Sequence, residues 1–230
     1  MDGIDVSNWQ KGIDPTKLKG VEFCICKATE GKSYVSPDCD RVVQLCIKAG
    51  LPWGFYHFGR RNDAKVEADF FIGNCRNYFG HGIPVLDWED DQDVAWVNAF
   101  VRRVNARTGI WPWIYANPWR FNQGGVEKNC GRWIAKYPSS KQTGFKSDLG
   151  GIPRTDGLVC CWQYTDNGKI SGWNGNLDLD KFYGDAGQWK LYAAGGKKSE
   201  PPSPKPPETV TLENDRFRVD ITEKQVYHAR

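Results

Sequence analysis

Ile83-Pro84-Val85-Leu86-Asp87-Trp88-Glu89 is an apolar run that ends in two carboxylates spaced i, i+2. On a β-strand successive side chains alternate faces, so Asp87 and Glu89 point one way and Trp88 the other. The two α-carbons then lie roughly 6.5–7 Å apart, twice the rise per residue. Carboxylates that close do not both ionise freely: one is pushed toward the neutral acid while its partner keeps its charge. An acid beside an anion is what cleavage of a glycosidic bond requires. The competing reading is a strand that runs into an acidic turn, since Asp90 and Asp91 follow directly.

Outward from this stretch, apolar strands alternate with helical patterns. Gly3–Ser7 is a short strand with Asp5 on the face opposite Ile4 and Val6. Val21–Ala28 is nearly continuous in apolar residues, as expected for a strand covered on both faces. Ser36 as N-cap and Pro37 at the first helical position predict a helix that Gly50 closes. Pro52–Phe58 is the next strand. A helix is expected from about Asp63, with Val66, Phe70, Phe71, Cys75 and Tyr78 on its buried side. After the Asp87/Glu89 strand, Val94, Val97, Val101 and Val104 mark another helix, stopped by Gly109. Trp111–Ala116 is a fifth strand. Arg132–Tyr137, Leu158–Thr165 and Asn176–Phe182 complete eight, joined by Gly-rich loops in place of clear helices.

Strand–helix alternation in the first half predicts parallel βαβ units, and some eight strands suffice to close a barrel. The expected fold is therefore α/β: an irregular, flattened, TIM-barrel-like β/α barrel with fewer helices than strands. In such barrels the active face is built at the C-terminal ends of the strands. Asp5, Tyr56, Asp87, Glu89, Tyr115 and Tyr164 all fall at or near strand ends. That shared placement favours the catalytic reading of the Asp87/Glu89 pair.

Residues 1–192 read as this one domain, with room for a sizeable core. Residues 193–208 form a Pro-rich linker around Lys197–Glu208 (KKSEPPSPKPPE), extended and semi-rigid. Residues 209–230 have the alternation of one or two short strands and are too few to fold alone. Docking, self-association and disorder are all open for this tail.

At 40% hydrophobic and 26% charged residues the composition is that of an ordinary soluble globular protein. A net charge of +3 without a Lys/Arg cluster gives no footprint for nucleic acid. No apolar run approaches the roughly 20 residues of a membrane span. The first residues enter a strand at once, without a basic and then apolar leader, so export by a signal peptide is not expected. The chain has 11 Trp, 9 Tyr and 11 Phe, which serve either a large core or the stacking of sugar rings. Of the eight cysteines, Cys24 and Cys26 share a strand face without disulfide geometry, and Cys160-Cys161 are adjacent. No metal-ligand spacing appears, so buried free thiols are expected.

Gly3-Ile4-Asp5-Val6-Ser7-Asn8-Trp9-Gln10, Lys27-Ala28-Thr29-Glu30-Gly31, Gly54-Phe55-Tyr56-His57-Phe58, Asp87-Trp88-Glu89, Trp162-Gln163-Tyr164 and Gly175-Asn176-Leu177-Asp178 occur in this order. Over about residues 2–185 the chain resembles glycoside hydrolase family 25, the Chalaropsis-type lysozymes, which include many bacteriophage endolysins. The resemblance implies a flattened β/α barrel with no cofactor or metal. It also implies hydrolysis of the β-1,4 bond from N-acetylmuramic acid to N-acetylglucosamine in peptidoglycan. By motif match Glu89 is the general acid, with Asp87, Asp5 and Asp178 the supporting carboxylates. Asp180 is a neighbour that the family does not usually make acidic. Tyr56, Tyr115, Trp133, Trp162, Gln163 and Tyr164 are the candidate substrate-binding residues; for the two tyrosines, capping of the core is the equal alternative.

A chain without a leader fits an enzyme that collects in the cytoplasm of an infected cell until it is released to the wall. Three rival readings remain. A chitinase-like enzyme also carries Asp-x-Glu on a strand, usually with a further Asp two residues earlier, where this chain has Val85. A catalytically weak wall-binding module and a virion-associated structural protein are the others.

Overall fold

The computed structural model describes residues 1–196, 209–214 and 217–222. Nine strands lie in the first unit: β1 (Asp2–Val6), β2 (Phe23–Glu30), β3 (Tyr34–Val35), β4 (Trp53–Phe58), β5 (Ile83–Asp87), β6 (Trp113–Ala116), β7 (Arg132–Ala135), β8 (Val159–Gly168) and β9 (Leu177–Phe182). Five α-helices accompany them: α1 (Cys39–Ala49), α2 (Ala64–Asn74), α3 (Val94–Thr108), α4 (Pro118–Phe121) and α5 (Ala186–Ala193). The strands follow the order β1-β9-β8-β7-β6-β5-β4-β2, and β1 pairs with β2 to close an eight-stranded barrel. The two-residue β3 lies outside, antiparallel to the end of β2.

From β1 to β8 every neighbouring pair within this barrel is parallel, as the strand–helix alternation predicts. The last strand differs. β9 runs antiparallel to both β8 and β1. Residues 169–176 between β8 and β9 are too few for a crossover helix, which needs a dozen or more residues, so the chain turns back on itself.

Alternation along each strand sends one set of side chains inward. Phe23, Ile25, Ile83, Val85, Trp113, Trp133 and Phe182 fill the barrel, and Trp189 of α5 packs among them. The Trp189 ring lies 4.7 Å from Phe23 and 5.1 Å from Phe182, and its indole N–H donates to the Trp53 carbonyl at 3.0 Å. Such ring pairs and their burial supply most of the cohesion here. Gly3 faces Phe23: a Cβ at this position would stand 2.5 Å from the ring, so the site admits only glycine. The outward set, with Ile4, Cys24, Cys26, Phe55, Leu86 and Ile114, packs beneath α1, α2 and α3.

Several expectations are corrected. α1 begins at Cys39, with Asp38 and not Ser36 at the N-cap, because Ser36 N–H is tied to the Ala28 carbonyl and extends the β2–β3 hairpin. On α2, Val66 is 50% exposed and Glu67 is buried in its place. α4 and α5 occupy stretches where the sequence pattern shows no helix. Gly50 and Gly109 do end α1 and α3, at φ 69° and 75°. All eight cysteines are buried, and none of them forms a disulfide.

The chain divides into two compact units, Met1–Ser199 and Glu200–Arg230. The second contains an antiparallel hairpin, β10 (Thr209–Asn214) with β11 (Phe217–Thr222). The Pro-rich stretch 197–208 lies outside the described residues. Among the described residues no helix is long and apolar enough to cross a membrane.

Candidate active site

A cleft of about 270 Å³ opens where the parallel strands end. β1 contributes Asp5, followed by Ser7 and Trp9; β2 contributes Lys27; β4 contributes Tyr56 and Phe58. Asp87 is the last residue of β5, and Glu89 stands in the loop just past it. Tyr115, Trp133, Tyr137 and Gln163 come from β6, β7, the residues after β7, and β8. Asp178 arrives from β9. Because that strand runs backwards, its first residues and not its last reach this end, and Asp178 sits in register opposite Asp5.

Hydrogen bonds fix the floor. Gln163 donates from Nε2 to Asp5 Oδ2 at 2.6 Å. Its Oε1 accepts from the Tyr115 hydroxyl at 2.7 Å and from the Tyr137 hydroxyl at 2.5 Å. Two hydroxyl donors on one side and a carboxylate acceptor on the other orient the amide without ambiguity. Behind Glu89, Arg120 donates to the Glu89 carbonyl at 2.7 Å and lies over the Trp88 ring. The Trp88 indole is anchored outward on the Gln92 carbonyl, so Asp87 and Glu89 share the inner side.

Carboxylates crowded in a dry cleft hold their protons. Burial raises the Asp87 pKa well above the usual range, and the charges of Glu89 and Asp5 push it further, against Lys27. Asp5 is raised by burial and then by Asp180, with the Gln163 hydrogen bond opposing. Asp178 is pushed up to about 8 by burial and by Asp5. Glu89 is also raised, through loss of solvent, while Arg120 and Lys27 pull it down. Lost solvation, not the neighbouring carboxylates, is thus what lifts Glu89. One oxygen of Asp87, Oδ1, is buried without a hydrogen-bond partner.

The structure gathers Asp5, Asp87, Glu89, Asp178, Tyr56, Tyr115, Trp133 and Gln163 around this cleft. It does not bring Trp162 and Tyr164 there. They alternate with Gln163 onto the outer face of β8, where both are buried, and the Trp162 indole N–H bonds the Lys136 carbonyl at 2.6 Å. Sequence reasoning missed Ser7, Trp9, Lys27, Phe58, Tyr137 and the buried Asp180. Strand parity gives Lys27, which shares a face with Phe23 and Ile25. Trp9, 91% exposed, stands in a short 3-10 turn capped by Ser7, for which strand periodicity gives no signal.

A larger cavity of about 510 Å³ lies outside the barrel, lined by residues of α1, Cys39 and Asp40 among them, and by 73–78. It gathers one carboxylate, so volume alone does not identify the site.

Residues 4–173 match the profile of glycosyl hydrolases family 25. An autolytic lysozyme of Clostridium acetobutylicum is 30% identical over 79% of this chain, which spans 56% of that relative's length. Lysozyme M1 of Streptomyces globisporus is 31% identical over 80% of this chain and 68% of its own. The crystal structure of a bacterial lysozyme from Streptomyces coelicolor superposes with a TM-score of 0.70 at 26% identity, covering 84% of this chain and 97% of that one. In sequence, in barrel topology and in the family's span of the chain these agree: the chain belongs to glycosyl hydrolases family 25.

Proposed function

We propose that this cleft hydrolyses the β-1,4 bond between N-acetylmuramic acid and N-acetylglucosamine in peptidoglycan. The convergence of four carboxylates, Asp5, Asp87, Glu89 and Asp178, on one aromatic-walled cleft carries the reading. Partial desolvation raises the Glu89 pKa and the side chain faces the opening, which suits an acid that must reach the leaving-group oxygen. Asp87 is deeper. Its carboxyl, whose Oδ1 has no partner within the protein, accepts the N–H of a substrate acetamido group and turns the acetamido oxygen onto the anomeric carbon. The substrate's own oxygen is then the nucleophile, one of the known departures from the two-carboxylate scheme. Asp5 and Asp178 present carboxyl oxygens beneath the developing oxocarbenium. Tyr56 and Tyr115, phenols held neutral by burial, offer hydroxyls for the acetamide or a ring hydroxyl.

Reducing-end analysis of digested peptidoglycan tests the reading. Muramic acid at the new reducing end is the expected result; glucosamine there overturns it. The substrate-assisted route further requires retention, so an α-anomer as first product, read by NMR, excludes that route. The finer role, lysis of a host cell by a phage-encoded enzyme, is part of the proposal and rests on the many bacteriophage endolysins in the family. Expression in the bacterial cytoplasm together with a separate membrane pore should then lyse the cells, and expression without the pore should not.

A further inference from the structure

Asp180 lies two residues beyond Asp178 on β9, on the same inward face but one level deeper, and none of it reaches solvent. Strand register places it beside Gly3 of β1 and Gln163 of β8. Its Oδ1 accepts the Trp133 indole N–H at 2.8 Å. Its Oδ2 is buried with no N–H or hydroxyl donor in reach. Asp5 lies diagonal to it across the β1–β9 pair, and each of the two carboxyl groups shifts the titration of the other. An ionised carboxylate only accepts hydrogen bonds, so two buried carboxyl groups can bond each other only through a proton between them.

We propose that Asp180 is a positioning residue that shares one proton with Asp5 beneath the cleft. A continuous hydrogen-bonded row results: the Tyr115 and Tyr137 hydroxyls to Gln163, Gln163 to Asp5, the shared proton to Asp180, and the Trp133 indole to Asp180. The row fixes the Asp5 carboxyl from below and limits the pair to a single negative charge. Two full charges there would repel each other with no solvent between them.

The titratable groups that feel Asp180 are Asp5 on β1, Cys161 and Tyr164 on β8, Cys24 on β2, and Asp178 on its own strand. Burial keeps Cys161 and the phenol neutral, and the contact with Cys46 together with burial does so for Cys24, which leaves the carboxyl groups to titrate.

Asp180→Asn is the discriminating variant. The amide can accept from Trp133 with its oxygen and donate to Asp5 with its nitrogen, so packing and hydrogen bonds persist while the shared proton goes. A proton kept in the folded state and lost on unfolding makes stability fall as pH rises. Between about pH 5 and 7 the unfolding equilibrium constant of the wild type should therefore climb about tenfold more per pH unit than that of Asp180→Asn, measured by urea titration. Equal slopes overturn the shared proton.

The kinetic consequence rests on the muramidase reading. Asp180→Leu removes the partner of both Trp133 and Asp5 and should lower kcat on cell walls at least tenfold with KM unchanged. Asp180→Asn should restore most of that loss. An unchanged kcat in Asp180→Leu overturns the positioning role. If Asp180→Leu does not fold, the pH slope of Asp180→Asn still decides. The slope needs no substrate, so a wrong reaction assignment leaves it intact.

Discussion

At Glu89 and Asp87 two carboxyl groups of one short segment occupy different environments and so take different tasks. Glu89→Gln keeps size and polarity, and should nearly abolish lysis of cell walls while leaving the melting temperature in place. Lysis that survives would remove Glu89 from the acid role. Asp87→Asn should cost at least about a hundredfold in kcat, the scale of losing an oriented polar contact at the transition state. A loss under tenfold would argue against orientation of the acetamide. Asp178 gives a prediction with a definite sign. Its folded pKa of about 8 lies above the ordinary value of 3.8, so the stability it allows is complete below about pH 4 and is lost as pH rises through 8. Asp178→Asn should melt higher than the wild type at pH 8 and show a smaller gap at pH 4, by calorimetry. The four acids were readable from the sequence because they sit in motifs at strand ends. Asp180 was visible only as an unusual neighbour, since nothing in a single strand reports what lies across a barrel.

At the level of elements, alternation decided what could be read. The motif Trp162-Gln163-Tyr164 names three polar-tipped residues, yet a strand shows only every second one to the cleft, and here that is Gln163. The helix α2 shows the reverse difficulty. A charged residue on the buried face runs against apolar periodicity, and Glu67 is fully buried because it is a hub. It bonds His57 Nε2 at 3.0 Å and accepts from the Arg60 and Asn62 backbone N–H groups and from the Asn62 side chain. Those contacts pin the loop from β4 to α2, whose Gly59 N–H in turn holds the Asp87 carbonyl at 3.0 Å. Glu67→Ala strands all of these donors and should destabilise the fold by about 3 kcal/mol or more, measured by urea denaturation. A loss below 1 kcal/mol would show that the hub is dispensable. α5 escaped the sequence reading because eight residues are too short a run to establish a helical period, although Asp185 and Gln188 form a capping box.

For the whole chain, the barrel and its parallel run of strands were legible from the order of strands and helices, and the reversed β9 was not. The connection lengths hold that information, and a topology argument that weighs the short 169–176 stretch finds it. We propose that residues 1–192 are self-sufficient and that the tail is separable. A chain ended after residue 199 should keep its melting temperature within a few degrees and still clear a suspension of isolated walls. Light scattering on the full chain and on this shorter one tests self-association through the tail: a larger mass for the full chain supports it, and equal protomer masses remove it.

The reversal of β9 also sets when the site can exist. Asp5 is made well before its companions: its partner Gln163 comes 158 positions later, with Asp178 after it. Chain synthesis proceeds at about 5–20 residues per second from the N-terminus, so Asp5 spends on the order of ten seconds without its companions. No nascent fragment that stops before β9 can hold a working cleft, because β9 closes the barrel between β8 and β1. Translation itself thus acts as a timer, and a product terminated before β9 would be harmless to the wall of the cell that made it.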